Sequence, residues 1–156
     1  MPLFTRNFVA LLVAHFLQAT GYASLLLLPL YLQHLGASRT EIGLVMATAG
    51  VSGLLCRPLV AWGLDGFGRK PTLLIGTALL VVGMALIGGV DRIGWVVYVA
   101  RAVIGIGIGA LFTGYFTFAA DVVPVSRRTE GLAIFGISGL VPLWYMKVPG
   151  RSATNW

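Results

Sequence analysis

Few side chains in this sequence can do chemistry, and those few are spaced in informative ways. Arg101 lies about eight residues into an apolar run, which is about 12 Å deep if the run is a helix rising about 1.5 Å per residue. A guanidinium at that depth in a bilayer costs roughly 2.5–3.5 kcal/mol, so it calls for a cavity or a partner. The other course open to it is snorkelling to the nearer interface. Arg57 is a similar case close to a loop and reads as structural. His15, Gln18 and Tyr22 recur at spacings of three and four, which places them on one helical face. Polar groups in lipid are costly unless satisfied, so that face should point into a helix bundle. It can wall a cavity that hydrogen-bonds a solute, with His15 as a proton carrier. It can equally supply an interhelical hydrogen bond worth about 0.6–2 kcal/mol, and the residues leave the two open. Gly105-Ile-Gly-Ile-Gly-Ala110 fits a dinucleotide-binding pattern in form, but no strand precedes it. Gly105 and Gly109 instead predict a close helix–helix contact. No Ser-His-Asp, paired-carboxylate or metal-ligand arrangement stands out, and the single Cys56 excludes an internal disulfide and a cysteine metal cluster. Neither an enzyme, a cofactor nor a metal site is expected.

The elements that hold these residues follow from composition. Of 156 residues, 58% are hydrophobic and 10% charged, with a mean hydropathy of +0.91. A soluble domain carries roughly a quarter charged residues, so a water-soluble globule is excluded, and disorder is excluded by the same apolar content. The net charge of +6 comes from cations scattered between apolar blocks; a membrane face suits them better than nucleic acid, which is not an expected partner. The lipid bilayer is. A membrane helix needs about 20 apolar residues, and the sequence predicts five, at about 8–32, 40–64, 71–90, 94–120 and 128–143. No charge occurs from residue 7 to residue 38, too long a run for a signal peptide, and no A-x-A cleavage site follows. Pro29 and Gly36 mark the end of that span, Ser38 and Glu41 fit a capping box for the next, and Pro71 suits a first turn. Gly66 and Gly68 allow a tight turn with positive backbone angles between the second and third spans. Arg6, Arg69, Lys70, Arg127 and Arg128 fall on one side and Arg39 and Arg92 on the other, so the N-terminus is predicted cytoplasmic.

The run Asp65-x-x-Gly68-Arg69-Lys70, preceded by Arg57-Pro58, resembles the G-x-L-x-D-R-x-G-R-R loop between helices two and three of the major facilitator superfamily. Ala61 stands where that pattern has its first glycine and Gly66 where it has a cation. Arg101 with Gly105, then Gly109 and Ala110, is similar to the superfamily's R-x-x-x-G pattern in helix four, with Ile104 in place of a frequent glutamine. Asp121-x-x-Pro124-x-x-Arg127-Arg128 followed by Glu130-Gly131 resembles its connection to helix five. Gly139 and Pro142 are not adjacent, so the glycine-proline pattern of proton-driven antiporters is not met. The resemblance implies an all-α polytopic membrane bundle over residues 1–142, the first five helices of a machine built from two six-helix halves. It implies a secondary active transporter that moves a small-molecule substrate by alternating access with proton coupling, in a bacterial inner membrane. His15, Gln18, Tyr22 and Arg101 would line the path, and Asp65, Gly68, Arg69, Lys70, Asp121, Arg127 and Arg128 would gate the inner side. Residues 143–156 read as an atypical polar tail, the mark of a truncated or frame-shifted reading frame. A stand-alone, oligomerising small membrane protein without transport activity is the alternative.

Overall fold

The computed structural model describes residues 3–147, and no strand occurs among the described residues. Seven α-helices follow one another there: α1 (Arg6–Ala23), α2 (Leu28–His34), α3 (Arg39–Leu55), α4 (Arg57–Gly66), α5 (Arg69–Gly88), α6 (Trp95–Val122) and α7 (Arg128–Lys147), with 3-10 turns at Ser24–Leu27 and Val125–Arg127. They exceed the five predicted because two spans are each built from two helices. Pro29 does not end the first span. The chain tightens at Ser24–Leu27 and restarts as α2 with the proline in its first turn, where a missing N–H leaves no bond unmade. The stop comes at Gly36, whose φ of +85° only glycine adopts without strain. There the Gly36 N–H donates to the Gln33 carbonyl and the Ala37 N–H to the Leu32 carbonyl, both at 3.0 Å, closing a Schellman motif.

Pro58 divides the second span in the same way. α3 and α4 are bent by 42° at Cys56, because the proline cannot donate to the carbonyl four residues back and its ring crowds that carbonyl. α3 opens on the capping box. The Glu41 N–H donates to Ser38 Oγ at 3.2 Å, and the Ser38 N–H donates to Glu41 Oε2 at 2.8 Å. Ser38→Ala removes one half of this exchange and is expected to lower stability by about 1 kcal/mol, read as an earlier midpoint in denaturing detergent. Ser38→Thr, which keeps the acceptor, should recover most of the loss; an unchanged midpoint in the alanine variant would show that the cap adds nothing.

Three helical stretches are long and apolar enough to cross a membrane, Arg6–His34, Arg69–Gly88 and Trp95–Val122, and the bent α3–α4 pair makes a fourth. α7 has 20 residues, but Glu130, Pro142 and Lys147 dilute its hydropathy. It runs to Lys147, past the predicted end near Leu143, so part of the predicted tail is helix; residues 148–156 of that tail lie outside the described residues.

The chain divides into two compact units, Met1–Leu26 with Phe118–Trp156, and Leu27–Thr117. In the first, α1 lies along α7. Its buried stripe, Phe8, Leu11, His15, Ala19 and Ala23, recurs at three and four residues, and the Phe135 ring of α7 is fully buried. In the second, Leu28, Leu32, Val45, Val90 and Val97 form one apolar cluster, and Cys56, Val60, Leu64 and Ala110 form another. The Tyr31 hydroxyl donates to the Val90 carbonyl and ties α2 to the α5–α6 connection. Outward side chains are as apolar as inward ones: Leu17 is 63% exposed, and Leu59 and Leu74 are 71% exposed. Such a surface is suited to lipid rather than water.

Candidate functional site

Within the unit formed by Leu27–Thr117, α6 lies in backbone contact with two neighbours. A Cβ on Gly109 would stand 2.9 Å from the Gly53 carbonyl oxygen and 3.2 Å from Cys56 Sγ, and one on Gly53 would stand 2.8 Å from the Gly105 carbonyl oxygen. A Cβ on Gly105 would overlap the Ala49 backbone and Ser52 Oγ. On another face, a Cβ on Gly107 would lie 2.9 Å from both the Gly76 carbonyl oxygen and the Leu80 nitrogen of α5. Carbon atoms gain their full contact energy near 3.5–4.0 Å, so these positions admit hydrogen alone. Gly105 and Gly109 were singled out by their spacing; Gly53, Gly76 and Gly107 were not. Gly53 and Gly76 become meaningful only once the helix each one faces is known.

Arg101 sits one turn before Gly105 on α6. It is 5% exposed, and its Nε donates to the Val45 carbonyl of α3 at 3.4 Å. Among the described residues no carboxylate makes an ion pair with it. Arg57, by contrast, is exposed at the α3–α4 bend.

In the other unit, His15 is buried between α1 and α7. Its Nδ1 lies 3.0 Å from Ser138 Oγ, its ring stacks on Phe135 with centroids 4.2 Å apart, and Gly139 leaves it space, since a Cβ there would stand 2.5 Å from the ring. The Ser138 hydroxyl donates to the Phe135 carbonyl at 2.6 Å, so what it offers His15 is a lone pair. The network therefore assigns the His15 proton to Nδ1. Nothing in the sequence marks Ser138 as the partner, because 123 residues separate the two. Gln18 and Tyr22 flank the same stripe and are half-buried. Gln18 Oε1 is buried with no hydrogen-bond partner among the described residues. An unpaired buried acceptor costs about 1–3 kcal/mol, so Gln18→Leu is expected to raise stability by about that amount. If Gln18 serves a solute, the same change should depress transport. A destabilised variant would instead reveal a hidden partner for the amide.

The loop residues divide between the units. Asp65 closes α4, and Arg69 and Lys70 open α5 after Gly68, whose φ is +91°. Gly66 stays inside α4 with no positive φ among its angles, so one glycine makes the turn where two were expected. Arg69 Nη1 donates to the Leu64 carbonyl at 3.5 Å. Asp65 and Lys70 are exposed. Asp121 lies one residue before the end of α6, and Arg127 grips Glu130 with two bonds of 2.8 and 2.7 Å ahead of Arg128. Asp65 at a helix C-terminus, and Arg69 and Lys70 at a helix N-terminus, each oppose the local helix dipole, at about 0.3–1 kcal/mol apiece. A hollow of about 460 Å³ lies at the α5–α6 connection, lined by Gly89, Val90, Asp91, Arg92 and Val96, and holds none of the residues singled out for the path.

Apolar spans with polar groups turned inward define an integral membrane protein. Residues 10–141 match the Major Facilitator Superfamily, and the chain belongs to that family. It is 26% identical over 104 residues to Multidrug resistance protein 1 of Bacillus subtilis (strain 168), covering 67% of this chain and 26% of that protein. It is 27% identical over 128 residues to Probable inositol transporter 3 of Arabidopsis thaliana, covering 77% of this chain and 20% of that protein. The chain thus spans about a quarter or less of these two relatives. It is also 30% identical over 92 residues to Fluoride-specific ion channel FluC 1 of Natronomonas pharaonis, covering 59% of this chain and 77% of the channel. No solved structure matches it.

Proposed function

We propose that this chain forms the opening helices of a secondary active transporter that moves a small solute by alternating access, with proton coupling, in a bacterial inner membrane and with its N-terminus in the cytoplasm. The observation that carries the reading is the family match across residues 10–141. In this reading His15, Gln18, Tyr22 and Arg101 line the path. The unpaired Gln18 acceptor supports that role, since a buried orphan is tolerated where a ligand completes it. Asp65, Gly68, Arg69, Lys70, Asp121, Arg127 and Arg128 gate the inner side. Charges set against their own helix dipoles support a purpose other than local helix stability. Gly105 and Gly109 keep α6 seated while the rest moves.

The test uses inside-out vesicles carrying a longer protein that contains this chain, an imposed proton gradient, and a panel that includes inositol and drug-like dyes, after the names of two relatives. Accumulation that a protonophore abolishes is expected. Accumulation indifferent to the protonophore would remove the proton coupling, and none for any solute would remove the transporter. For sidedness, cysteines placed at Gly66 and Asp91 in a Cys56→Ala background should label from opposite faces, Gly66 from within.

A second reading is favoured by the likeness to the fluoride-specific channel, of which the chain spans 77%. On this reading the chain stands alone as a small oligomerising membrane protein. Cross-linking in native membranes separates the two: a discrete oligomer of this chain alone supports the second, and a monomer supports the first.

A further inference from the structure

We propose that Ser138 is a positioning residue for proton movement: it holds His15 as the tautomer protonated on Nδ1, which makes Nε2 the atom that takes up and gives off the proton. The proposal deepens the proton-coupled pathway reading above, in which His15 carries the proton, and rests on it. One turn of α7 builds the seat for the ring. Phe135 stacks on it with centroids 4.2 Å apart and planes 19° from parallel, and Ser138 Oγ lies 3.0 Å from Nδ1. Gly139 has no Cβ to displace the ring; one would stand 2.5 Å from Cε1 and 3.0 Å from Nε2. Residues three and four apart share a helical face, so these three meet His15 together. Both helices belong to one compact unit.

The direction of the hydrogen bonds selects the tautomer. A serine hydroxyl has one proton to give, and here it goes to the Phe135 carbonyl at 2.6 Å. What faces Nδ1 is then a lone pair, and the Phe135 carbonyl, which also reaches the ring, can only accept. The reverse tautomer, with its lone pair on Nδ1, would need the hydroxyl to turn and abandon that carbonyl. Which ring nitrogen is left to exchange protons is set by the bond the other one makes. A hydrated proton binds the Nε2 lone pair and its water departs, leaving an imidazolium; on release the pair returns to Nε2. Nδ1–H keeps its bond to Ser138 through both steps, so the ring need not turn. Phe135 suits both forms, because an aromatic face within about 6 Å of a cation attracts it. Of the ionisable groups on the two helices, Arg6, Arg128 and Glu130 are exposed and Tyr22 is half-buried beside the His15 stripe. Tyr145 and Lys147 belong to the last turn of α7.

The chain has two histidines, so His34→Gln leaves His15 alone in a nitrogen-15 spectrum. In that background the chain, labelled at its histidine ring nitrogens, is held in lipid nanodiscs at about pH 8, above the ordinary histidine value near 6.5. Protonated and bare ring nitrogens resonate far apart, and Nδ1 should be protonated and Nε2 bare. An ordinary hydrogen bond moves the tautomer ratio by up to about tenfold. The excess of Nδ1–H should therefore fall about tenfold in Ser138→Ala. It should return to within about twofold of the parent in Ser138→Thr, which keeps the acceptor. If Ser138→Ala does not fold, Ser138→Cys, whose sulfur is a weak acceptor, is read in its place. A protonated Nε2 with Ser138 intact would overturn the assignment whether or not the variants fold. An unchanged ratio in Ser138→Ala, or a Ser138→Thr ratio no nearer the parent's than alanine's, would overturn the role of Ser138. A merely structural hydroxyl would alter stability and leave the tautomer as it was. No solute or gradient is used, so a longer protein that failed to move protons would strike the pathway reading and leave this result standing.

Discussion

Gly105→Leu is expected to unseat α6 from α3 and to lower stability by about 3 kcal/mol, the upper part of the usual range for an overpacked contact. The neighbour that a side chain would meet decides the size of the effect. At Gly105 it is the Ala49 backbone together with Ser52 Oγ, and a helix backbone cannot swing aside as the end of a long side chain can. Relief requires the two helices to part, which also opens the reciprocal contacts at Gly53 and Gly109. Gly43→Leu on α3 is the control, because a Cβ there meets nothing within 4 Å. Unfolding in denaturing detergent should show an early transition for Gly105→Leu and a native-like one for Gly43→Leu. Equal midpoints would mean that α3 and α6 are not in backbone contact.

Arg101→Ala is expected to abolish most transport in a longer protein that contains this chain, while Arg92→Ala leaves it within about twofold. A hydrogen bond to a charged group is worth about 1.5–3 kcal/mol, and every 1.4 kcal/mol is tenfold, so the loss at Arg101 should be at least tenfold. Both substitutions remove one cation from α6 or the turn before it, so a general charge effect would act on them alike. They differ in burial: Arg101 is enclosed between helices, whereas Arg92 is exposed beside the hollow at the α5–α6 connection. The comparison is valid only if both variants reach the membrane in equal amounts, which quantitative blotting establishes. Equal transport losses would take Arg101 out of the path.

The long apolar runs, the capping box at Ser38 and the stop at Gly36 are local features, and the residues that make them can be read in order along the chain. The two bends were not legible in the same way. Pro29 and Pro58 are visible, but whether a proline ends a helix, starts another or bends a pair depends on the backbone bonds its neighbours find. Thus Pro29 sits in the first turn of a restarted helix, and Pro58 follows a 42° bend. The polar face of α1 was legible from spacing; its partner Ser138 was not, since only the packing of α1 along α7 brings them within 3.0 Å. Gly107 likewise looked like filler between Gly105 and Gly109 until α5 occupied the opposite side of α6. Arg101 was legible as unusual, while the lack of an ion pair to it among the described residues was not.

The most direct test of the proposed role is transport by this chain by itself. Alternating access needs two facing halves that rock about a site between them, and the chain spans 26% and 20% of the two family relatives it resembles. In liposomes containing purified chain and no other protein, uptake of each solute in the panel should equal that of empty liposomes, with or without a proton gradient. A saturable, protein-dependent uptake by the chain alone would contradict the proposal and make this short polypeptide a working transporter.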